Sequence, residues 1–143
     1  LGTRARILLL DEPLASLDPL ARREFLHVLT DAVRSDGATA LLSSHIVTDV
    51  EQACDRLVVL GVGKVLLHDT VAAGLASHWI ATDGAAAPGG EAIGSFAGPG
   101  SERLTLIRHA VAVAAANLRA ATLEDVVLGY LAAGRGQPGD AAA

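Results

Sequence analysis

Arg6-Ile7-Leu8-Leu9-Leu10-Asp11-Glu12-Pro13-Leu14-Ala15-Ser16-Leu17-Asp18-Pro19 is the stretch on which the reading of this chain turns. Four apolar residues without polar alternation describe a strand buried on both faces of a parallel sheet. Two acids close the run, and Pro13, which has no N–H to give a ladder, ends it. Asp18-Pro19 then predicts a helix start, with a carboxylate at the N-cap and proline at the first helical position. That helix is expected over about residues 19–35, with Leu26, Leu29 and Val33 on its apolar stripe and Gly37 as its stop.

Working outward, residues 38–43 read as a second short buried strand ending just before His45, and residues 46–54 as a short amphipathic helix. Strands over 56–60 and 64–68 flank Gly61-Val62-Gly63, a hairpin signal, and a helix follows over 71–78. Strand, helix, strand, helix and hairpin predict an α/β fold: a parallel sheet with an antiparallel extension, ordered like the second half of a doubly wound nucleotide-binding domain. The character changes near Asp83. Residues 84–90 have linker composition, 91–97 and 103–109 read as strands joined through Gly98-Pro99-Gly100, and Thr122 caps a helix carrying Leu123, Val126, Val127, Tyr130 and Leu131 on one stripe. The expected organisation is a nucleotide-binding part over 1–80, a linker with the first appendage strand over 81–101, a small α+β appendage over 102–134, and a disordered tail over 135–143. Trp79 is expected to anchor the appendage by packing.

Composition narrows the function classes. The 143 residues are 51% hydrophobic but only 3% aromatic, so much of the apolar content is alanine, which buries little area. A net charge of -5 with no Lys/Arg cluster removes the electrostatic case for nucleic acid or lipid headgroups as partners. Cys54 is the lone cysteine, which excludes a disulfide framework, and His27, His68, His78 and His109 are scattered without metal-ligand spacing. The chain opens on Leu1 and reads as cut from a longer protein, with no signal peptide. Its longest apolar stretch, 110–116, falls far short of the roughly 20 residues that cross a bilayer. Membrane association is therefore expected only through a partner.

Side chains at the carboxyl ends of parallel strands face the crevice where open α/β sheets bind ligands. Asp11, Glu12 and His45 should therefore converge on one cleft from two strands. Phosphoryl transfer asks little covalent help of a protein; it needs placed charge and an oriented nucleophile. One carboxylate can hold Mg²⁺, usually through water; a second can orient or deprotonate the attacking water; an imidazole can stabilise charge building on phosphate oxygens. Each residue also has a structural explanation: acids close buried strands, Asp18 caps a helix, and a lone histidine often sits in a loop. Their shared order and spacing favour the chemical reading.

Ile7–Glu12 resembles the Walker B motif of ATP-binding-cassette (ABC) ATPases, including the glutamate after the aspartate. Ser16-Leu17-Asp18 resembles their D-loop, His45 their switch histidine, and Cys54-Asp55-Arg56 before an apolar strand the segment that follows. The match covers roughly residues 4–70. A weaker resemblance links Thr122-Leu123-Glu124-Asp125-Val126-Val127-Leu128 to the tails of bacterial drug- or polyketide-type exporter subunits. The resemblance implies the C-terminal half of a P-loop NTPase that binds ATP and Mg²⁺. Asp11 would position Mg²⁺ through water, Glu12 would be the catalytic base and His45 would contact the γ-phosphate. Ser16 and Asp18 would belong to the nucleotide site, with Asp18 at a dimer interface linking two sites. Implied partners are a transmembrane permease and a second ATPase subunit, identical or not, at the cytoplasmic face of the plasma membrane, with export as the direction. The phosphate loop, glutamine loop and signature motif are not among these residues. Gly61-Val62-Gly63-Lys64 is no phosphate loop, since it lacks the four-residue spacer and Val65 stands where Ser or Thr belongs. The alternatives are a soluble relative acting on ribosomes or DNA and an interaction module without turnover. Ile46-Val47-Thr48 after His45 resembles transporter subunits rather than the ribosome-acting branch, and the presence of both Glu12 and His45 speaks for turnover.

Overall fold

The computed structural model describes residues 6–82, 89–109 and 117–136. The chain forms two compact units that divide after Cys54.

In the first unit, β1 (Ile7–Leu10) and β2 (Thr39–Leu42) run parallel, from Ile7 opposite Thr39 to Leu10 opposite Leu42. The crossover between them is α1 (Pro19–Asp36). Its start follows from Asp18, whose Oδ1 accepts the Leu20 and Ala21 amides at 2.9 and 3.0 Å; its end is Gly37, in the left-handed region at φ 62°. Packing of α1 against α2 (Val47–Ala53) accompanies burial of Leu26 and Leu29. The ladder continues one step past β2, where the Ser43 amide donates to the Leu10 carbonyl at 2.8 Å. That step sets Ser43 beside the Asp11-Glu12 turn.

The expectation of strands covered on both faces needs correction. Ile7, Leu9 and Leu41 are 67%, 75% and 62% exposed. Leu9 stands opposite Leu41, so these side chains share one face of the two-stranded sheet, and no other described element of the first unit covers it. An unbroken apolar run states what a strand can bury, not what is there to bury it.

In the second unit, β3 (Arg56–Gly61) and β4 (Lys64–Thr70) form the expected hairpin. Val62 and Gly63 both have positive φ, 52° and 71°, as a tight two-residue turn requires. Thr70 caps α3 (Val71–Ser77) through the Ala73 amide at 3.0 Å. The next strand, β5 (His78–Thr82), begins where the sequence reading still had helix. It is an inner strand of an antiparallel sheet ordered β6-β7-β5-β8, with β6 (Glu91–Ala97), β7 (Arg103–Arg108) and β8 (Leu118–Ala120). The final helix, α4 (Leu123–Gly136), starts with a reciprocal cap: Thr122 Oγ1 accepts the Asp125 amide, and Asp125 Oδ2 accepts the Thr122 amide at 2.8 Å. It continues past Gly134, beyond the expected limit of order, because Gly134 is buried and packs beside Leu66. Ile80, Leu106, Leu123 and Val126 form the fully buried centre of this unit. Residues 83–88 of the expected linker region and the tail at 137–143 lie outside the described residues.

Candidate functional site

Asp11 and Glu12 occupy the turn just past β1, and Ser43, Ser44 and His45 follow β2. Parallel pairing of the strands therefore brings the two groups side by side. Glu12 adopts φ 43°, a left-handed conformation that costs a non-glycine residue on the order of 1 kcal/mol. Its amide, turned by that backbone, donates to Ser43 Oγ at 2.8 Å, and the same hydroxyl donates to Asp11 Oδ1 at 2.6 Å. The Glu12 carboxylate meets the His45 ring, Oε2 to Nδ1, at 2.8 Å. Ser44 stabilises the turn that presents the ring, its Oγ accepting the Ile46 amide at 3.0 Å.

The side chains of Glu12 and His45 are 42% and 67% exposed, so their pairing adds little to folding stability. Its consequence is orientation. A carboxylate oxygen accepts, so Nδ1 carries the hydrogen shared with Glu12, and the contact orients the ring.

Three of the residues singled out in the sequence are thus gathered: Asp11, Glu12 and His45. Two are not. Asp18 commits Oδ1 to the first turn of α1, and Ser16 stands exposed in the intervening turn. Ser43 was missed by the sequence reading, although it closes the strand expected over 38–43; a hydroxyl at the end of a strand that pairs with an acid-ended strand was the available signal.

Among the described residues, no group of three or more His, Cys, Asp or Glu side chains gathers as a metal cage. A single exposed carboxylate, Asp11, beside a hydroxyl is nevertheless a hard-oxygen donor set, suited to a cation that keeps most of its water. Mg²⁺ fits that description.

Curated proteins similar to this chain agree on one class. The thiamine import ATP-binding protein ThiQ of Jannaschia sp. is 38% identical over 72 residues, 50% of this chain and 31% of that protein. The phosphonates import ATP-binding protein PhnC of Caulobacter vibrioides is 43% identical over 61 residues, covering 43% and 23%. The aliphatic sulfonates import ATP-binding protein SsuB of Albidiferax ferrireducens is 41% identical over 68 residues, covering 48% and 24%. An uncharacterized ABC transporter ATP-binding protein of Synechocystis sp. is 38% identical over 66 residues. About half of this chain is thus similar, at 38–43% identity, to ABC transporter ATP-binding proteins. No protein-family model matches it. The chain spans between 18% and 31% of the length of these ABC relatives. The relatives named by substrate are import proteins, so the exporter resemblance of 122–128 finds no counterpart among them. No helix among the described residues is long and apolar enough to cross a membrane.

Proposed function

We propose that this chain supplies the hydrolytic side of an ABC transporter's ATP-binding subunit, the C-terminal half of a P-loop NTPase fold. Asp11, at the tip of the Walker B strand, is the residue that would hold Mg²⁺ through water, where the cation neutralises phosphate charge. Glu12 takes the proton of the attacking water, or orients that water, as general base. His45, the switch histidine, keeps the Glu12 carboxylate in place through Nδ1 and turns Nε2 toward the γ-phosphate; in its doubly protonated form it donates to both at once. Asp18 and Ser16, in the D-loop, serve the interface with a second ATPase subunit, and a membrane permease is the partner that turns hydrolysis into transport at the cytoplasmic face. Similarity to import ATP-binding proteins supports the transporter class over a ribosome- or DNA-acting one; export rests on the carboxyl segment alone.

The observation that carries this reading is the 2.8 Å contact between Glu12 and His45, built from two strand ends beside Asp11. In the intact protein, Glu12→Gln should lower steady-state ATP hydrolysis by about a hundredfold or more while ATP still binds. Turnover near that of the unchanged protein would remove the base assignment. Because these 143 residues contain no phosphate loop, they should not bind ATP tightly by themselves, and tight binding in a calorimeter would contradict the division of labour proposed.

A further inference from the structure

Ser43 has one hydroxyl hydrogen and spends it on Asp11 Oδ1 at 2.6 Å, while its oxygen accepts the Glu12 amide at 2.8 Å. Both bonds are short, and one engages a carboxylate, which makes it of the stronger charge-assisted kind. Ser43 is itself held by its backbone, through the 2.8 Å bond from its amide to the Leu10 carbonyl, so the hydroxyl hangs from the sheet ladder rather than from a loop. Glu12, by contrast, sits at φ 43°, a conformation that persists only where surrounding bonds over-determine it. Within the turn itself, the Glu12 carbonyl accepts the Ala15 amide at a longer 3.2 Å. Neither Asp11 nor Glu12 is buried, so packing does not fix them.

We infer that Ser43 is a positioning residue of this site: its hydroxyl ties the Asp11 carboxylate to the Glu12 backbone and so sets where the acid expected to hold a cation and the acid expected to direct water stand relative to each other. The inference rests on the phosphoryl-transfer reading of Asp11 and Glu12 and adds the group that aligns them. With the hydroxyl gone, the Glu12 amide loses its acceptor, the left-handed turn can relax, and the Glu12 carboxylate no longer meets His45 at a fixed angle. Ser43 is exposed and leaves no cavity on truncation, so the loss falls on alignment rather than on folding.

The test compares Ser43→Ala, Ser43→Thr and Glu12→Gln in the intact protein. Ser43→Ala is expected to lower kcat by about ten- to a hundredfold with KM for ATP changed less than about threefold, the pattern of an interaction that matters in the transition state. Ser43→Thr keeps the hydroxyl and is expected to recover most of the rate. A second readout needs no turnover: hydrogen exchange of the Glu12 amide should be slowed in the unchanged protein and in Ser43→Thr, and at least about tenfold faster in Ser43→Ala. Ser43→Cys, close in size but a poor donor and acceptor, is expected to behave as Ser43→Ala and serves if that variant folds badly. If Glu12→Gln abolishes hydrolysis while Ser43→Ala keeps kcat within about twofold, the positioning role is wrong and the site reading stands. If Glu12→Gln is itself near normal, the site reading falls and the role of Ser43 falls with it. A Ser43→Thr variant as slow as Ser43→Ala would also overturn the inference, since the loss would then not follow the hydroxyl.

Discussion

Glu12 shows at the scale of one residue how local strain and chemistry share a position. Its φ of 43° is tolerable for glycine, costly for most residues and worst for β-branched ones. Glu12→Val should therefore be less stable than Glu12→Gly by about 1–2 kcal/mol in thermal or denaturant unfolding, although neither variant retains the carboxylate. Equal stabilities would mean the turn is not held left-handed in solution. His78 offers a pH-dependent case. Burial holds its pKa below the ordinary 6.5, against the Gly74 carbonyl that accepts from Nδ1 at 2.8 Å and with reinforcement from the Arg108 charge. The Tyr130 hydroxyl lies 3.2 Å from Nε2. An unfolded chain takes up the proton near 6.5 while the folded one resists it, so this contribution is complete above 6.5 and declines as pH falls below it toward the lower folded value. The second unit should thus melt at a lower temperature at about pH 5.5 than at about pH 7.5, and His78→Gln should flatten that difference. Asp125 acts lower on the scale. Burial alone would raise its pKa, but hydrogen bonds from Arg119 and Thr122 together bring it below 3.8, so its share is lost only as pH falls through that lower range.

Elements meet here through glycine as much as through large side chains. A Cβ on Gly94 in β6 would collide with the Gly129 carbonyl of α4, and one on Gly129 would strike the Leu106 side chain of β7. The helix can lie this close to the sheet only because both positions lack side chains. Alanine in a helix interior ordinarily stabilises by up to about 1 kcal/mol over glycine. Gly129→Ala should do the opposite and destabilise the second unit by about 1–3 kcal/mol, because Leu106 is fully buried and has nowhere to move. A gain in melting temperature would show that α4 stands further from β7 than described. At α1 the same scale separates two roles of Asp18. Asp18→Ser keeps an N-cap acceptor and should hold stability within about 0.5 kcal/mol, whereas Asp18→Ala should lose about 1 kcal/mol. If Asp18 serves a subunit interface, Asp18→Ser should impair hydrolysis while leaving the melting temperature in place.

For the whole molecule, uncovered apolar surface is the governing fact. Ile7, Leu9 and Leu41 lie together on one bare face of the first unit's sheet. Apolar surface of this kind promotes association. The isolated chain should bind a hydrophobic dye and self-associate with rising concentration, and Leu9→Lys should reduce both. Because Leu9 is 75% exposed, that change should leave unfolding of the first unit within about 0.5 kcal/mol. A chain that stays monomeric and dye-free would argue that this face is covered in solution.

Local chemistry determined much of this protein by itself. Asp18-Pro19 and Gly37 set the ends of α1, Val62-Gly63 set the hairpin, Thr122 and Asp125 set the start of α4, and the acid-ended strand followed by a histidine-ended one marked Asp11, Glu12 and His45. Caps, turns and strand ends depend on residues a few positions apart, so sequence carries them. β5 and β8 were not legible, since β5 forms by pairing with β7 across some 30 residues, its buried His78 ring meeting the Gly74 carbonyl and the Tyr130 hydroxyl, and three residues at 118–120 give no period. Ser43 belongs with these. Its bonds to positions 31 and 32 residues away exist only once β1 and β2 pair in register, and a pairing across that distance is decided by tertiary structure.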